Sequence, residues 1–187
     1  MTTRQQAAAR RASEECARLY VELNSTDLPV AEVAERVGVA ERTFYRYFPR
    51  KRDTIRPLLD SMTEEIVVSL RGSGDTPIEQ ALTLAFATTF GGEREEQTRR
   101  LFPLIYRDSE LYAALLQAVH EGEPVLRPVI AERLNVSPDS DQARAAAALF
   151  VSAILAALDA MVNAGADPFT AFSSFISAAS DNPLRPR

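Results

Sequence analysis

Residues 28–51, LPVAEVAERVGVAERTFYRYFPRK, decide the fold of this chain. The apolar positions follow helical spacing on both sides of Gly38, which predicts two short helices joined by a glycine turn. These positions are Val30, Val33, Ala34 and Val37 before the turn, and Val39, Phe44 and Phe48 after it. A glycine just past a helix end adopts the left-handed conformation without a side-chain clash, so the second helix crosses the first. The stretch therefore predicts a helix-turn-helix.

The second helix of this pair carries side chains suited to DNA. If its apolar positions face inward, its polar residues face outward. Arginine donates two parallel hydrogen bonds to guanine, whereas hydroxyl groups and a lysine ammonium hold phosphate oxygens. We therefore predict a DNA-contacting set of Glu41, Arg42, Thr43, Tyr45, Arg46, Tyr47 and Lys51. The alternative is an amphipathic helical hairpin whose arginines merely face water.

The same run resembles the amino-terminal domain of the tetracycline-repressor (TetR) family. Members share a pattern close to I-A-x-x-A-G-V-S-x-x-T-x-Y-x-Y-F-x-x-K. The matching residues here are Val33, Ala34, Gly38, Val39, Thr43, Tyr45, Tyr47, Phe48 and Lys51. The motif covers about the first third of the chain. The resemblance implies a DNA-binding head, a helical body that binds a small ligand, and a dimer.

Two positions depart from that pattern. Pro29 stands where the family usually has a serine or threonine cap, and proline suits a first helical turn but cannot cap it. Ala40 stands where a serine usually opens the recognition helix, and such a cap contributes about 1 kcal/mol. The carboxylate of Glu41, in the first turn of the second helix, interacts favourably with the positive end of the helix dipole. The starts of both helices are therefore the weakest part of the prediction.

The charge is distributed unevenly along the chain. Residues 1–56 contain 11 Arg or Lys and 8 Asp or Glu, a net charge of +3, whereas the remaining residues contain 10 and 18, a net charge of −8. A basic head on an acidic chain fits a module that meets phosphate at one end. Ordinary variation of surface charge also produces such a difference, so the asymmetry supports the motif without replacing it.

The composition predicts a soluble, cytoplasmic protein. With 46% hydrophobic and 25% charged residues, the 187-residue chain is typical of globular proteins. No apolar run approaches the roughly 20 residues that cross a bilayer, and residues 1–15 lack the apolar core of a secretion signal, so we expect no membrane partner. The single cysteine, Cys16, is expected to be a small buried side chain, and we expect no metal at the single histidine, His120.

The helix signals predict an all-α protein with two domains: a helix-turn-helix DNA-binding domain at residues 1–50 and a helical ligand-binding and dimerisation domain at 51–187. A first helix is expected at 4–24 and a fourth at about 52–70, where Pro57 predicts a bend or a later start. Further helices are expected at about 77–91, 94–106, 108–121, 123–134, 139–164 and 168–179.

The last two helices carry small and aromatic residues at helical spacing. Small residues allow two helices to approach closely and phenylalanines fill the gaps between them, so these helices from two subunits are expected to form a four-helix interface. The predicted interface residues are Phe150, Ala153, Ile154, Ala157, Phe169, Phe172, Phe175 and Ile176. The alternative is that the stripes form the core of one subunit.

The middle helices contain aromatic and hydroxyl side chains. In TetR-like proteins the corresponding region encloses a small-molecule pocket. The predicted pocket residues are Phe86, Thr89, Phe90, Phe102, Tyr106, Tyr112 and Leu115. We expect no cofactor, but a small hydrophobic or amphipathic effector that the sequence does not identify. The alternative is that these residues are plain core aromatics.

Together these patterns predict a TetR-like transcriptional regulator. The prediction is a repressor that binds a pseudo-palindromic operator as a homodimer and is released by a small-molecule effector through the fourth helix. The alternative is an effector-independent or activating DNA-binding protein of the same fold. An enzyme is not expected, because the chain lacks a phosphate-binding glycine loop, a metal cluster and a histidine-based triad.

Overall fold

The computed structural model describes residues 3–180, which form α-helices and contain no strand. The helices are α1 Thr3–Leu23, α2 Val30–Val37, α3 Glu41–Tyr47, α4 Arg56–Gly72, α5 Ile78–Phe90, α6 Glu95–Arg107, α7 Ser109–Leu134, α8 Asp141–Ala164 and α9 Pro168–Ser180. Two short 3₁₀ turns, Lys51–Thr54 and Gly92–Arg94, precede α4 and α6. The predicted all-α fold, with a helix-turn-helix head and a helical body, is confirmed.

The chain divides into two compact units. The first contains the residues up to Met62 together with Glu96–Ala118, and the second contains Thr63–Glu95 together with the residues from Val119 onward. The helix-turn-helix thus shares its unit with most of α6 and the start of α7. A hydrogen bond from Nη2 of Arg100 on α6 to the carbonyl oxygen of Val21 on α1, at 2.9 Å, is one contact within this unit.

The helix-turn-helix is built around Gly38 and two phenylalanines. Gly38 ends α2 with φ 76°, and its N–H donates to the carbonyls of the preceding turn, as predicted for a glycine turn. Phe44 and Phe48 are buried, and their rings meet edge to face with centroids 5.1 Å apart. Because these two residues are four apart, they fix one face of α3 inward.

A polar cluster in the same unit fixes the segment that leads into α4. The Ser13 hydroxyl donates to the carbonyl of Thr54 at 2.6 Å and accepts from the N–H of Leu58 at 3.1 Å. The hydroxyls of Tyr20 and Thr54 lie 3.1 Å apart, and burial raises the pKa of Tyr20 to about 12. Helix α1 therefore holds the 3₁₀ turn and the first turn of α4.

Helix α4 begins at Arg56, so of the two outcomes predicted from Pro57, a bend or a later start, the later start is observed. This start places Pro57 in the first turn, where its missing N–H has no partner to lose.

The core of the second unit is aromatic. Phe86 on α5 stacks on Phe172 on α9 with centroids 4.2 Å apart and an interplanar angle of 4°, and Phe150 on α8 meets Phe172 edge to face at 5.8 Å. Helix α8 starts at a Ser140 cap, whose Oγ accepts from the N–H of Ala143, and ends at Gly165 with φ 64°. The helix expected at about 139–164 therefore ends where the sequence predicts.

Helix α7 differs from the prediction. The sequence predicts two helices at about 108–121 and 123–134, but α7 is one helix of 26 residues that contains Pro124 and Pro128. Proline removes a helical hydrogen bond, yet Val129 and Ile130 beyond it are buried in the second unit. Burial of this apolar stripe offsets the missing hydrogen bonds, so the two predicted helices are one.

Helix α8 is long and apolar enough to cross a membrane by length and composition alone. A core helix of a soluble protein satisfies the same criterion, and 39% of its most apolar stretch is buried within the chain. The exposed residues of α8 include the small and apolar Ala145, Ala148 and Leu149.

Candidate nucleic-acid interface

Helix α3 displays the predicted DNA-contacting face. Glu41, Arg42, Tyr45 and Arg46 are exposed, and the side chains of Thr43 and Tyr47 are half-buried. The inward Phe44 and Phe48 set this orientation, since the residues between them must point away from the core. The structure thus brings six of the seven predicted DNA contacts together on one short helix.

The two missing caps do not prevent these helices from forming. Neither Pro29 before α2 nor Ala40 before α3 makes a side-chain cap hydrogen bond. Ala40 is extended, and its carbonyl accepts from the N–H groups of Thr43 and Phe44 at 2.8 and 2.9 Å, which closes the first turn of α3. Helix α3 therefore lacks a stabilising side-chain cap, and the tertiary packing of its phenylalanines stabilises it instead.

The arginines of α3 are available for an external anion. Within residues 3–180, neither Arg42 nor Arg46 forms an ion pair with a carboxylate, and the guanidinium of Arg46 lies 5.6 Å from the ring centroid of Tyr47. By contrast, Arg36 pairs with Glu22 and Glu32, both at 3.5 Å. The predicted recognition helix therefore carries two cations without a carboxylate partner among the described residues.

Lys51, the seventh predicted contact, lies in the 3₁₀ turn after α3 and is not free. Its Nζ lies 2.7 Å from Oδ2 of Asp108, which also accepts from the Thr26 hydroxyl at 2.8 Å. The other carboxylate oxygen, Oδ1, accepts from the N–H groups of Glu110 and Leu111 at 3.0 and 3.1 Å and so caps α7. Sequence reasoning did not find Asp108, because 57 positions separate it from Lys51.

The contacts of Asp108 favour its charged form. Burial by itself raises the pKa of this carboxyl, but the hydrogen bonds from Lys51, Thr26 and the Leu111 N–H outweigh it and hold the pKa below its usual value. Asp108 is therefore a carboxylate at neutral pH, and its charge faces Lys51.

The seven predicted pocket residues lie in different units. Phe86, Thr89 and Phe90 are buried in the second unit, where Phe86 stacks on Phe90 at 4.8 Å. The first unit holds Phe102, Tyr106, Tyr112 and Leu115, with the two tyrosine rings 5.0 Å apart.

Thr89 has a distinctive environment among these residues. Its side chain is fully buried, and its Oγ1 has no hydrogen-bond partner among the described residues. A buried hydroxyl without a partner costs roughly 1–3 kcal/mol. The Thr89 Oγ1 is therefore a group with which a ligand would form a favourable hydrogen bond.

The predicted dimer residues require a correction. Six of them are buried inside the chain itself: Phe150, Ala153, Ile154, Ala157, Phe172 and Ile176. Phe169 is half-buried and packs edge-on against Phe86 at 5.7 Å, whereas Phe175 is 42% exposed. Buried side chains do not reach a partner, so these six are core residues. The exposed residues of these two helices, here called their outward face, include Ala145, Ala148, Leu149 and Ser152 on α8 and Ser174, Phe175 and Ala178 on α9.

Cys16 and His120 lie outside this interface. Cys16 is fully buried, and burial raises the pKa of its thiol to about 12. His120 is exposed on α7, and no group of three or more His, Cys, Asp or Glu side chains able to hold a metal occurs in residues 3–180.

Two family profiles match the sequence. Residues 23–55 match the profile described as bacterial regulatory proteins, tetR family. Residues 76–176, more than half of the chain, match the profile described as the MftR C-terminal domain. The first match contains the helix-turn-helix and Lys51, and the second contains Asp108.

Among curated proteins, the HTH-type transcriptional regulator TcmR of Streptomyces glaucescens is 30% identical over 122 residues, which cover 60% of this chain and 54% of TcmR. The chain thus matches about half the length of that relative. The nucleoid occlusion factor SlmA of Escherichia coli O1:K1 is 29% identical over 143 residues, which cover 71% of this chain and 72% of SlmA.

Solved structures share the fold. A TetR transcriptional regulator from Rhodococcus sp. RHA1 superposes with a TM-score of 0.63 at 20% identity, covering 96% of this chain and 98% of the other. A TetR-family regulator from Streptomyces coelicolor gives 0.57 at 13% identity, covering 95% and 85%. With its helix-turn-helix, its helical body and both family profiles, the chain belongs to the TetR family of bacterial transcriptional regulators, which are DNA-binding proteins and not enzymes.

Proposed function

We propose that this TetR-family regulator is a cytoplasmic repressor that binds a pseudo-palindromic operator as a homodimer and is released by a small-molecule effector. The observation that carries the proposal is the outward face of α3, where Arg42 and Arg46 have no carboxylate partner among the described residues. A bidentate contact from arginine to guanine contributes about 1–3 kcal/mol of base discrimination. These two residues are therefore the base-reading pair.

Phosphate contacts come from the groups that flank this pair. The hydroxyls of Thr43 and Tyr47 and the ammonium of Lys51 provide donors at both ends of α3, and they carry no information about base identity. These contacts set the position of α3 on the duplex, and the arginines then select the sequence.

The proposed homodimer uses the outward face of α8 and α9. Leu149 and Phe175 are 50% and 42% exposed, and the alanines and serines around them allow close approach of a second copy. A two-fold dimer presents two copies of α3 to half-sites about one helical turn or more apart, which accounts for a pseudo-palindromic operator.

The proposed effector is supported by Thr89. Its buried hydroxyl has no partner among the described residues, and the buried Phe86 and Phe90 flank it along α5. A ligand that is mainly apolar and carries one hydrogen-bonding group fits these surroundings. If such a ligand binds only the form that does not bind DNA, it lowers operator occupancy by its differential affinity.

The test is selection of bound fragments from the source genome, repeated with small amphipathic molecules. The proposal predicts enrichment of one pseudo-palindromic sequence and loss of enrichment with some of these molecules. Thr89→Val keeps the shape of the side chain and removes the hydroxyl, so this variant should bind the same sequence but respond less to the effector. Enrichment without any shared sequence contradicts the proposal.

A second candidate is an effector-independent DNA-binding factor. The similarity to a nucleoid occlusion factor over 71% of the chain favours it, because that relative's name describes a role other than transcriptional regulation. The same selection separates the two candidates. Many dispersed sites and no response to small molecules support the second, whereas a few promoter sites and an effector response support the repressor.

A further inference from the structure

The ion pair between Lys51 and Asp108 has unequal partners. The Asp108 side chain is 12% exposed and accepts three hydrogen bonds besides that of Lys51, from the Thr26 hydroxyl and from two N–H groups at the start of α7. The Lys51 side chain is 33% exposed, and its ammonium group forms no other hydrogen bond within residues 3–180. The carboxylate is therefore fixed in place, and the lysine is the partner that can leave.

The position of the pair matters for DNA binding. Lys51 lies four residues after the end of α3, at the place where the proposed interface meets phosphate. A carboxylate 2.7 Å from the ammonium cancels most of its attraction for a second anion. A DNA phosphate that binds the Lys51 ammonium must therefore displace the Asp108 carboxylate.

On this basis we propose that Asp108 competes with the DNA backbone for Lys51 and thereby limits the affinity of the head for DNA. This inference rests on the proposed DNA-binding function. In the free protein the Lys51 ammonium pairs with the Asp108 carboxylate, and in the DNA complex it pairs with a phosphate instead. Because Asp108 caps α7, the α6–α7 corner directly controls one of the phosphate contacts.

Asp108→Asn tests this competition. Asparagine keeps the shape and the capping oxygen and removes the charge. At low salt the substitution should raise operator affinity about three- to ten-fold, the size of a single partly exposed ion pair. It should leave the dependence of log affinity on log salt close to that of the wild type, because Lys51 contacts one phosphate in both complexes.

Two matched variants isolate the pair. Glu110→Gln removes the same charge two residues away, on a side chain that forms no ion pair with Lys51 among the described residues, and should leave affinity within about two-fold. In a Lys51→Ala background, Asp108→Asn should have no effect, because the competitor has lost its target. Asp108→Ser also keeps a cap without charge and serves if the asparagine variant folds poorly.

A direct structural readout is available because Lys51 is the only lysine in the sequence. Labelling with isotopic lysine therefore gives one side-chain signal. Its chemical shift should differ between wild type and Asp108→Asn in the free proteins and should become the same in the two operator complexes, because a phosphate then replaces the carboxylate in both.

Three results would overturn the competition. Weaker binding by Asp108→Asn would show that the ion pair positions Lys51 for DNA instead. Equal increases in operator affinity in Asp108→Asn and Glu110→Gln would show that removing any negative charge of this acidic chain strengthens DNA binding. Lysine signals that still differ in the two complexes would show that the ion pair persists on DNA. If the wild type enriches no sequence at all, the proposed function fails before this comparison begins.

Discussion

At the scale of single residues, the cationic side chains predicted to contact DNA differ in whether a carboxylate pairs with them. Arg42 and Arg46 on α3 have no carboxylate partner among the described residues, whereas Lys51 is bound to Asp108. The seven DNA contacts predicted from the sequence therefore include two free cations and one that must first be released. Periodicity predicted which residues of α3 face outward, but a partner 57 positions away has no local signal.

Arg42→Ala should relax base preference, because it removes a base-edge donor. In competition titrations against single-base variants of the operator, we expect discrimination at one position to fall by about 1–3 kcal/mol. Lys51→Ala should instead weaken all sequences equally and flatten the salt dependence. An Arg42→Ala variant that discriminates like the wild type contradicts its role in base reading.

Cys16 should not react in the folded protein. Its thiol is fully buried and its pKa is about 12, so almost no thiolate exists at pH 8. A chromogenic thiol reagent should therefore react with no thiol in the native protein and with one thiol in denaturant, because the sequence has a single cysteine. Because the folded pKa is raised from 9.0, the native state should lose stability as the pH rises above that value. Rapid native labelling at pH 8 contradicts this burial.

At the scale of helices, the turn between α2 and α3 depends on one glycine. Gly38 has φ 76°, a conformation that costs a residue with a side chain about 1–2 kcal/mol. Gly38→Ala should therefore lower the free energy of unfolding by about that amount, measured in urea. Gly72→Ala, at the end of α4 and in open space, is the matched control and should be neutral or stabilising. Equal effects of the two substitutions contradict the left-handed turn.

The sequence predicted most helices but not how they pack. Helical spacing placed most helices within a few residues of their bounds, and of the two outcomes predicted from Pro57, a bend or a later start, α4 shows the later start. The division of α7 into two helices at about 108–121 and 123–134 was wrong, because local sequence does not report the tertiary burial of Val129 and Ile130. Likewise, an apolar stripe on α8 does not reveal whether its partner is α9 or a second subunit.

At the scale of the whole molecule, the outward face of α8 and α9 should hold the dimer. Leu149→Asp with Phe175→Asp places charges in an apolar contact, so we expect a monomer by light scattering after size exclusion. Val68→Asp, at an even more exposed apolar side chain (69%), is the control and should leave the dimer intact. A double variant that remains dimeric moves the interface elsewhere.

The central claim is that α3 reads DNA sequence through Arg42 and Arg46. The most direct measurement is selection of bound genomic fragments with the wild type and with the Arg42→Ala, Arg46→Ala double variant in parallel. We predict that the wild type enriches one pseudo-palindromic sequence and that the double variant retains DNA without a shared sequence, because its phosphate contacts remain. Enrichment of the same sequence by both proteins would contradict the account.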